Sequence, residues 1–112
     1  MDLSIIIKKV IMVSEQYEKN CNVKRDKDWY ILKLHEELGE LTQNYLSYTF
    51  RGRDRNLTRE ELKKNISDEV ADILGQLLLF ANYHDIDIEK SMETKWFGYL
   101  HSNVDDSSFV KK

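Results

Sequence analysis

The sequence predicts an all-α fold, a subunit of the four-helix-bundle type. The chain has 112 residues, which include no proline and only four glycines, so it lacks the turn residues that a many-stranded sheet needs. Its apolar residues recur at alternating intervals of three and four, the period of an amphipathic helix. Helices joined by short connections pack as antiparallel neighbours and form a bundle.

The first two helices are predicted over residues 3–20 and 27–49. The first apolar series comprises Leu3, Ile6, Val10, Val13 and Tyr17, and Asn20, Cys21 and Asn22 follow it as a helix end. The second series comprises Ile31, Leu34, Leu38, Leu41, Tyr45 and Tyr48. Residues 50–56 have no periodicity and contain glycine, asparagine and aspartate, which predicts a loop.

A third helix is predicted over residues 59–84 and a fourth from Asp87 to about residue 101. Thr58 and Glu61 have the spacing of a capping box, and Asp87 is a candidate N-cap. The residues predicted to face inward are Leu62, Ile66, Val70, Ile73, Leu77 and Ala81, then Ile88, Met92, Trp96 and Tyr99. We expect one domain over residues 1–103 and a flexible tail over residues 104–112.

Composition excludes several classes of function. Seventeen basic residues against 20 acidic ones give a net charge of −3, which argues against binding to nucleic acid polymers. The single cysteine, Cys21, excludes an internal disulfide framework and a thiolate zinc site. The sequence contains neither a long apolar segment nor a secretion signal, so we expect a cytoplasmic protein without membrane contact.

Two polar bands border the apolar stripes of helices 2 and 3. Each band has spacing 4, 3, 4: the first comprises Lys33, Glu37, Glu40 and Asn44, and the second comprises Asn65, Glu69, Asp72 and Gln76. If the two helices pack antiparallel, the bands can face each other and four carboxylates converge. Because like charges about 4 Å apart repel by roughly 4 kcal/mol at an effective dielectric constant of 20, some must protonate or bind a cation. Carboxylate oxygens favour Mg²⁺ or Mn²⁺.

The alternative is that these acids lie on solvent-facing helix surfaces. Against it, Glu36 and Glu40 form a like-charge i,i+4 pair, which is mildly destabilising, and the bands border the apolar stripes. A di-iron site is excluded because no histidine follows a glutamate by three positions.

The acidic motifs resemble those of the MazG-like nucleoside triphosphate pyrophosphohydrolases, an all-α superfamily. The first motif is E-E-x-x-E, with Glu36, Glu37 and Glu40, and the second is E-x-x-D, with Glu69 and Asp72. The similarity extends from about Trp29 to Lys95. It implies Mg²⁺-dependent hydrolysis of a nucleoside triphosphate to the monophosphate and pyrophosphate, and we expect a deoxy or non-standard nucleotide as the substrate. It also implies a homodimer or homotetramer, and metal ligation by Glu37, Glu40, Glu69 and Asp72.

Further residues are candidates for catalysis and substrate binding. Glu36 is the candidate general base, although its helical angle turns it away from Glu37. Lys95 matches a substrate-binding lysine of the family, and the other candidates for substrate binding are Lys33, Gln76 and Arg53.

The match ends after Lys95, where many members have an asparagine four residues later and this chain has Tyr99. Two alternatives therefore stay open. One is a non-catalytic helical module that binds nucleotide or mediates oligomerisation, and the other is a relative that acts on phosphoribosyl-ATP.

Overall fold

The computed structural model describes residues 1–21 and 25–101, and these residues form helices without any β-strand. The elements are α1 (Leu3–Cys21), α2 (Trp29–Tyr48), α3 (Arg59–Tyr83), α4 (Ile88–Lys95) and a 3₁₀ helix (Phe97–His101). The all-α prediction is confirmed, as are the bounds of the first three helices to within two residues. Asn22 and the tail predicted over residues 104–112 lie outside the described residues. None of the described helices is both long and apolar enough to span a membrane.

Helices α2 and α3 form an antiparallel hairpin, which is the most extensive helix contact in the described structure. At one end the rings of Tyr30 and Tyr83 lie 5.7 Å apart. Nearer the other end the Asn65 side chain donates a hydrogen bond of 3.2 Å to the side chain of Asn44. The start of α2 is therefore next to the end of α3, which is the arrangement that the two polar bands require.

The connection between these helices is defined by local backbone chemistry. Helix α2 is followed by Phe50, whose φ of 60° is in the left-handed region. Gly52 passes so close to α2 that a Cβ on it would lie 2.8 Å from the Leu46 Cβ, so the turn requires glycine. The capping box is confirmed: the Thr58 hydroxyl accepts from the Glu61 amide, and the Glu61 carboxylate accepts from the Thr58 amide.

The buried core lies along α3 and its neighbours. The buried apolar residues among those described are Leu62, Leu78, Leu79 and Ala81. Helix α1 packs against α3 through a smaller contact, and its Ser14 is buried and accepts a hydrogen bond from Arg25. Helix α1 therefore lies beside the hairpin and leaves room between them.

Helix α4 is shorter than the sequence predicts. Asp87 is its N-cap, as predicted, but the α-helix ends at Lys95 and a 3₁₀ helix containing Gly98 follows. The last turn switches to the tighter pattern, in which the Tyr99 amide donates to the Trp96 carbonyl. Trp96 and Tyr99 are 54% and 53% exposed. The prediction that these two residues face inward is therefore wrong for the single chain.

The apolar stripes of α1, α2 and α3 are only partly covered. Residues predicted to face inward but exposed in the single chain include Val13, Tyr17, Leu38, Tyr45, Val70 and Leu77. The helical period predicts which residues share a face, but nothing in the described part of the chain covers these six side chains completely.

Candidate metal centre and the adjoining cavity

Three of the four predicted carboxylates meet on the α2–α3 hairpin. Glu37, Glu40 and Glu69 each place one carboxylate oxygen so that the three oxygens lie within 4.8 Å of one another. Glu37 and Glu40 are three residues apart on α2 and thus on one face, and the antiparallel hairpin brings Glu69 of α3 opposite them. We call these three residues the carboxylate cluster.

The cluster changes the protonation of its own members. Burial raises the pKa of Glu69 to about 8, and the neighbouring carboxyls of Glu37 and Glu40 contribute to the rise. Burial also raises the pKa of Glu37, and the negative charges of Glu40 and Asp72 raise it further, whereas a hydrogen bond with Glu69 lowers it. Without a cation, the cluster therefore holds a proton near neutral pH, shared between neighbouring carboxyls.

Asp72 lies at the edge of this group. It is exposed and is not one of the three closely spaced carboxylates, but its charge acts on Glu37. It lies three residues after Glu69, about one turn further along α3 and therefore on the same side of that helix.

At the other end of the polar bands, Asn44 and Asn65 stabilise the packing of α2 against α3. Asn44 is 5% exposed, donates to the Glu40 carbonyl at 2.9 Å and accepts from Asn65. A buried amide with both groups paired fixes the register of the hairpin. Asn44 and Asn65 therefore set the position of Glu40 relative to Glu69.

The donor set of the cluster fits a hard divalent cation. All three groups offer oxygen, as Mg²⁺ and Mn²⁺ prefer. Oε1 of Glu69 is buried and has no hydrogen-bond partner among the described residues. A buried, unpaired carboxylate oxygen is costly, and a cation at the cluster would remove that cost.

A cavity of about 530 Å³ adjoins the cluster, between α1 and the hairpin. We call it the α1 cavity. Glu37 and Asp72 line it and so belong to both features. Two predicted substrate-binding residues, Lys33 and Gln76, also line it, and Oε1 of Gln76 is buried without a partner in the described structure.

Glu36, the candidate base, is an exposed residue next to the cluster. Its carboxylate forms an ion pair with Lys33, and the Glu36 side chain is 57% exposed. The hydrogen bond with Glu36 raises the pKa of Lys33. Lys33 lines the α1 cavity, but Glu36 is neither among the described residues that line it nor one of the three closely spaced carboxylates.

The structure does not bring Arg53 or Lys95 to this site. Arg53 is exposed in the connection between α2 and α3, and Lys95 is exposed at the end of α4. Neither lines the α1 cavity as the described residues form it.

The sequence did not predict the wall of the cavity that α1, the connection after it and the first residue of α2 contribute. The residues of this wall are Lys9, Val10, Val13, Ser14 and Tyr17 of α1, Arg25 of the connection and Trp29 of α2. One sequence feature pointed there: Ser14 is a polar residue four positions after Val10, at the border of an apolar stripe. Arg25 follows the end of α1 without any periodic pattern, so no comparable feature marks it.

Comparison of the chain with family models, with curated proteins and with solved structures finds no match.

Proposed function

We propose that this protein is an Mg²⁺-dependent nucleoside triphosphate pyrophosphohydrolase of the MazG-like kind. One observation carries the proposal: a cluster of three carboxylates, one with a buried unpaired oxygen, shares Glu37 with a cavity of about 530 Å³. Small-molecule sites commonly have such volumes. Acidic groups beside a cavity would repel a triphosphate unless a cation reversed the local charge.

In this proposal Glu37, Glu40 and Glu69 hold Mg²⁺, and Asp72 completes the ligand set. The ion, when bound, supplies positive charge that neutralises phosphate oxygens and acidifies a water molecule. Mn²⁺ would serve the same ligands.

The remaining roles belong to Glu36, Lys33 and Gln76. Glu36 accepts the proton of the attacking water, and its ion pair with Lys33 orients its carboxylate. Lys33 and Gln76 contact the substrate from the cavity wall. Arg53 and Lys95 lie elsewhere in the single chain, so their predicted contact with substrate requires a neighbouring subunit.

The half-exposed apolar residues support a homodimer or homotetramer. Leu38 and Tyr45 of α2 and Val70, Leu74 and Leu77 of α3 are each between 44% and 53% exposed. Exposed large apolar residues on neighbouring helices are typical of a subunit interface. Pairing two hairpins through it would complete a four-helix bundle, in a cytoplasmic enzyme that acts on free nucleotides.

The direct test is hydrolysis of a panel of ribo- and deoxynucleoside triphosphates, with phosphoribosyl-ATP included. We expect equal amounts of monophosphate and pyrophosphate with Mg²⁺ and no product with chelator. Asp68→Asn is the matched control, because Asp68 is an exposed α3 carboxylate paired with Lys64 outside the cluster. Release of orthophosphate, or turnover that chelator leaves unchanged, would contradict the proposal.

A second candidate is a nucleotide-binding module without turnover. The position of Lys95 away from the cavity favours it. Calorimetric binding of a nucleotide with Mg²⁺, without product after hours, would support this candidate against the enzyme.

A further inference from the structure

Apart from Glu37 and Asp72, the α1 cavity is lined by apolar and aromatic residues, among them Val10, Tyr17 and Trp29, and by the polar residues Lys9, Ser14, Arg25, Lys33 and Gln76. Tyr17 and Trp29 both lie next to Arg25, and we call the part formed by these three residues the aromatic end of the cavity. Aromatic rings in a cavity beside a polyphosphate site are suited to stacking on a planar heterocycle.

Arg25 connects the two walls of this end. Its guanidinium carbon lies 5.1 Å from the ring centroid of Tyr17 on α1 and 5.8 Å from that of Trp29 on α2. These distances are within the range of cation–π contact. Arg25 also donates a hydrogen bond to the buried Ser14. The side chain is thus held in place before any ligand binds.

Two residues that line the cavity each carry a polar atom without a hydrogen-bond partner in the described part of the chain. Nε of Arg25 and Oε1 of Gln76 are buried, and neither has a hydrogen-bond partner among the described residues. One is a donor and the other is an acceptor. Burial of such groups without partners costs free energy, which a ligand offering the complementary acceptor and donor would recover.

We propose that this end of the α1 cavity binds the nucleobase, and that Arg25 is a specificity-determining residue. The base stacks against the aromatic wall, presents a ring nitrogen or carbonyl acceptor to Arg25 and presents an N–H donor to Gln76. The assignment of the ligand as a nucleotide rests on the proposed function, because the carboxylate cluster next to the cavity would hold the phosphates. The base contact itself needs neither phosphate nor metal.

The proposal is tested by binding of free nucleosides in the presence of chelator, which separates it from hydrolysis. The chain has two tryptophans, and Trp96 is not among the residues that line the cavity. In a Trp96→Phe background the fluorescence of Trp29 alone reports binding. We expect nucleosides to quench this fluorescence saturably, whereas inorganic pyrophosphate leaves it unchanged.

Two glycines offer a matched pair of variants. A Cβ on Gly75 or on Gly39 would meet no atom within 4 Å, and both lie inside helices, but only Gly75 lines the cavity. Gly75→Leu should therefore fill part of the cavity and weaken nucleoside binding about tenfold or more. Gly39→Leu should change it by less than about twofold.

Arg25→Gln removes the charged donor and should weaken nucleoside binding about tenfold. Ser14→Ala controls for the loss of the anchoring hydrogen bond, and we expect it to have a smaller effect. Glu69→Gln should abolish hydrolysis and leave nucleoside binding intact.

Absence of nucleoside quenching in an enzyme that hydrolyses triphosphates would overturn the base site while the proposed function stands. Equal nucleoside binding by Gly75→Leu and Gly39→Leu would overturn it as well. Nucleoside binding by a protein without hydrolysis would uphold the base site and contradict the enzyme.

Discussion

On the α2–α3 hairpin some polar residues are less exposed to solvent than some apolar residues, which is the reverse of the usual pattern. On the polar side Asn44 is 5% exposed and an oxygen of Glu69 is buried. On the apolar side Val70 is 53% exposed and Leu77 is 44% exposed. Folded proteins normally bury valine and leucine and expose glutamate. In this single chain parts of the polar bands are therefore covered better than parts of the apolar stripe, whereas Glu40 and Asp72 are exposed.

This difference indicates two separate tasks for one hairpin. Burial of carboxylates without cationic partners reduces stability unless a ligand compensates, so the polar side has the properties of a binding site. The exposed apolar side has the properties of an interface that a second subunit covers. Substitutions can therefore be made on one side of the hairpin while the residues of the other side are left unchanged.

The largest effect is expected on the polar side. Glu37→Gln removes a carboxylate that belongs to both the cluster and the cavity. We expect the rate of pyrophosphate release to fall about a thousandfold, because a metal centre supplies several kcal/mol of transition-state stabilisation. Asp68→Asn, measured in parallel, should retain the parent rate. Similar rates for both variants would mean that the acids of the cluster are ordinary surface groups.

The variant Glu36→Gln distinguishes whether Glu36 acts as a general base or as a metal ligand. As the proposed base, Glu36 should contribute about a hundredfold to kcat, while its ion pair with Lys33 outside the cluster leaves metal affinity unchanged. Steady-state kinetics and Mn²⁺ titration of the same preparation distinguish the two effects. A parallel fall of kcat and metal affinity would make Glu36 a ligand and not a base.

The apolar side is tested by Leu77→Glu. A charge at this half-exposed position should weaken subunit association at least about tenfold, since it would be buried unpaired in the interface. Sedimentation analysis over a range of concentrations measures the change. Asp68→Lys, on the face of α3 away from the stripe, is the control for altered charge. A parent protein that stays monomeric at high concentration would disprove the interface.

The smallest expected effect is a change with pH in the free energy of unfolding of the metal-free protein. The pKa of Glu69 is raised from 4.5 to about 8, so between these values the folded state binds more protons than the unfolded state. The contribution of Glu69 to the free energy of unfolding is fully present below pH 4.5 and is lost as the pH rises through about 8. Urea unfolding in chelator should show this decline, and Glu69→Gln should reduce it. A stability that rises over this range equally in both proteins would contradict the assigned burial.

Much of the hairpin could be predicted from the sequence because its determinants are local or periodic. The spacing of apolar residues predicted the positions of α1, α2 and α3, and the Thr58 capping box predicted where α3 begins. A short connection and two bands of equal spacing were enough to predict that Glu37, Glu40 and Glu69 meet.

Other features could not be predicted because they depend on contacts between distant segments. The position of Arg25 against Ser14, Tyr17 and Trp29 involves both α1 and α2, and no spacing rule connects them. Periodicity also predicts which residues share a face but not what covers that face, hence the exposure of Val70.

Calorimetric titration of the metal-free protein with Mn²⁺ measures whether the carboxylate cluster binds a divalent cation. The titration is made near pH 8.5, where Glu69 is mostly ionised. We expect saturable binding by the parent and by Asp68→Asn, and loss of that binding in Glu69→Gln. Equal binding by all three proteins, or none by the parent, would contradict the account.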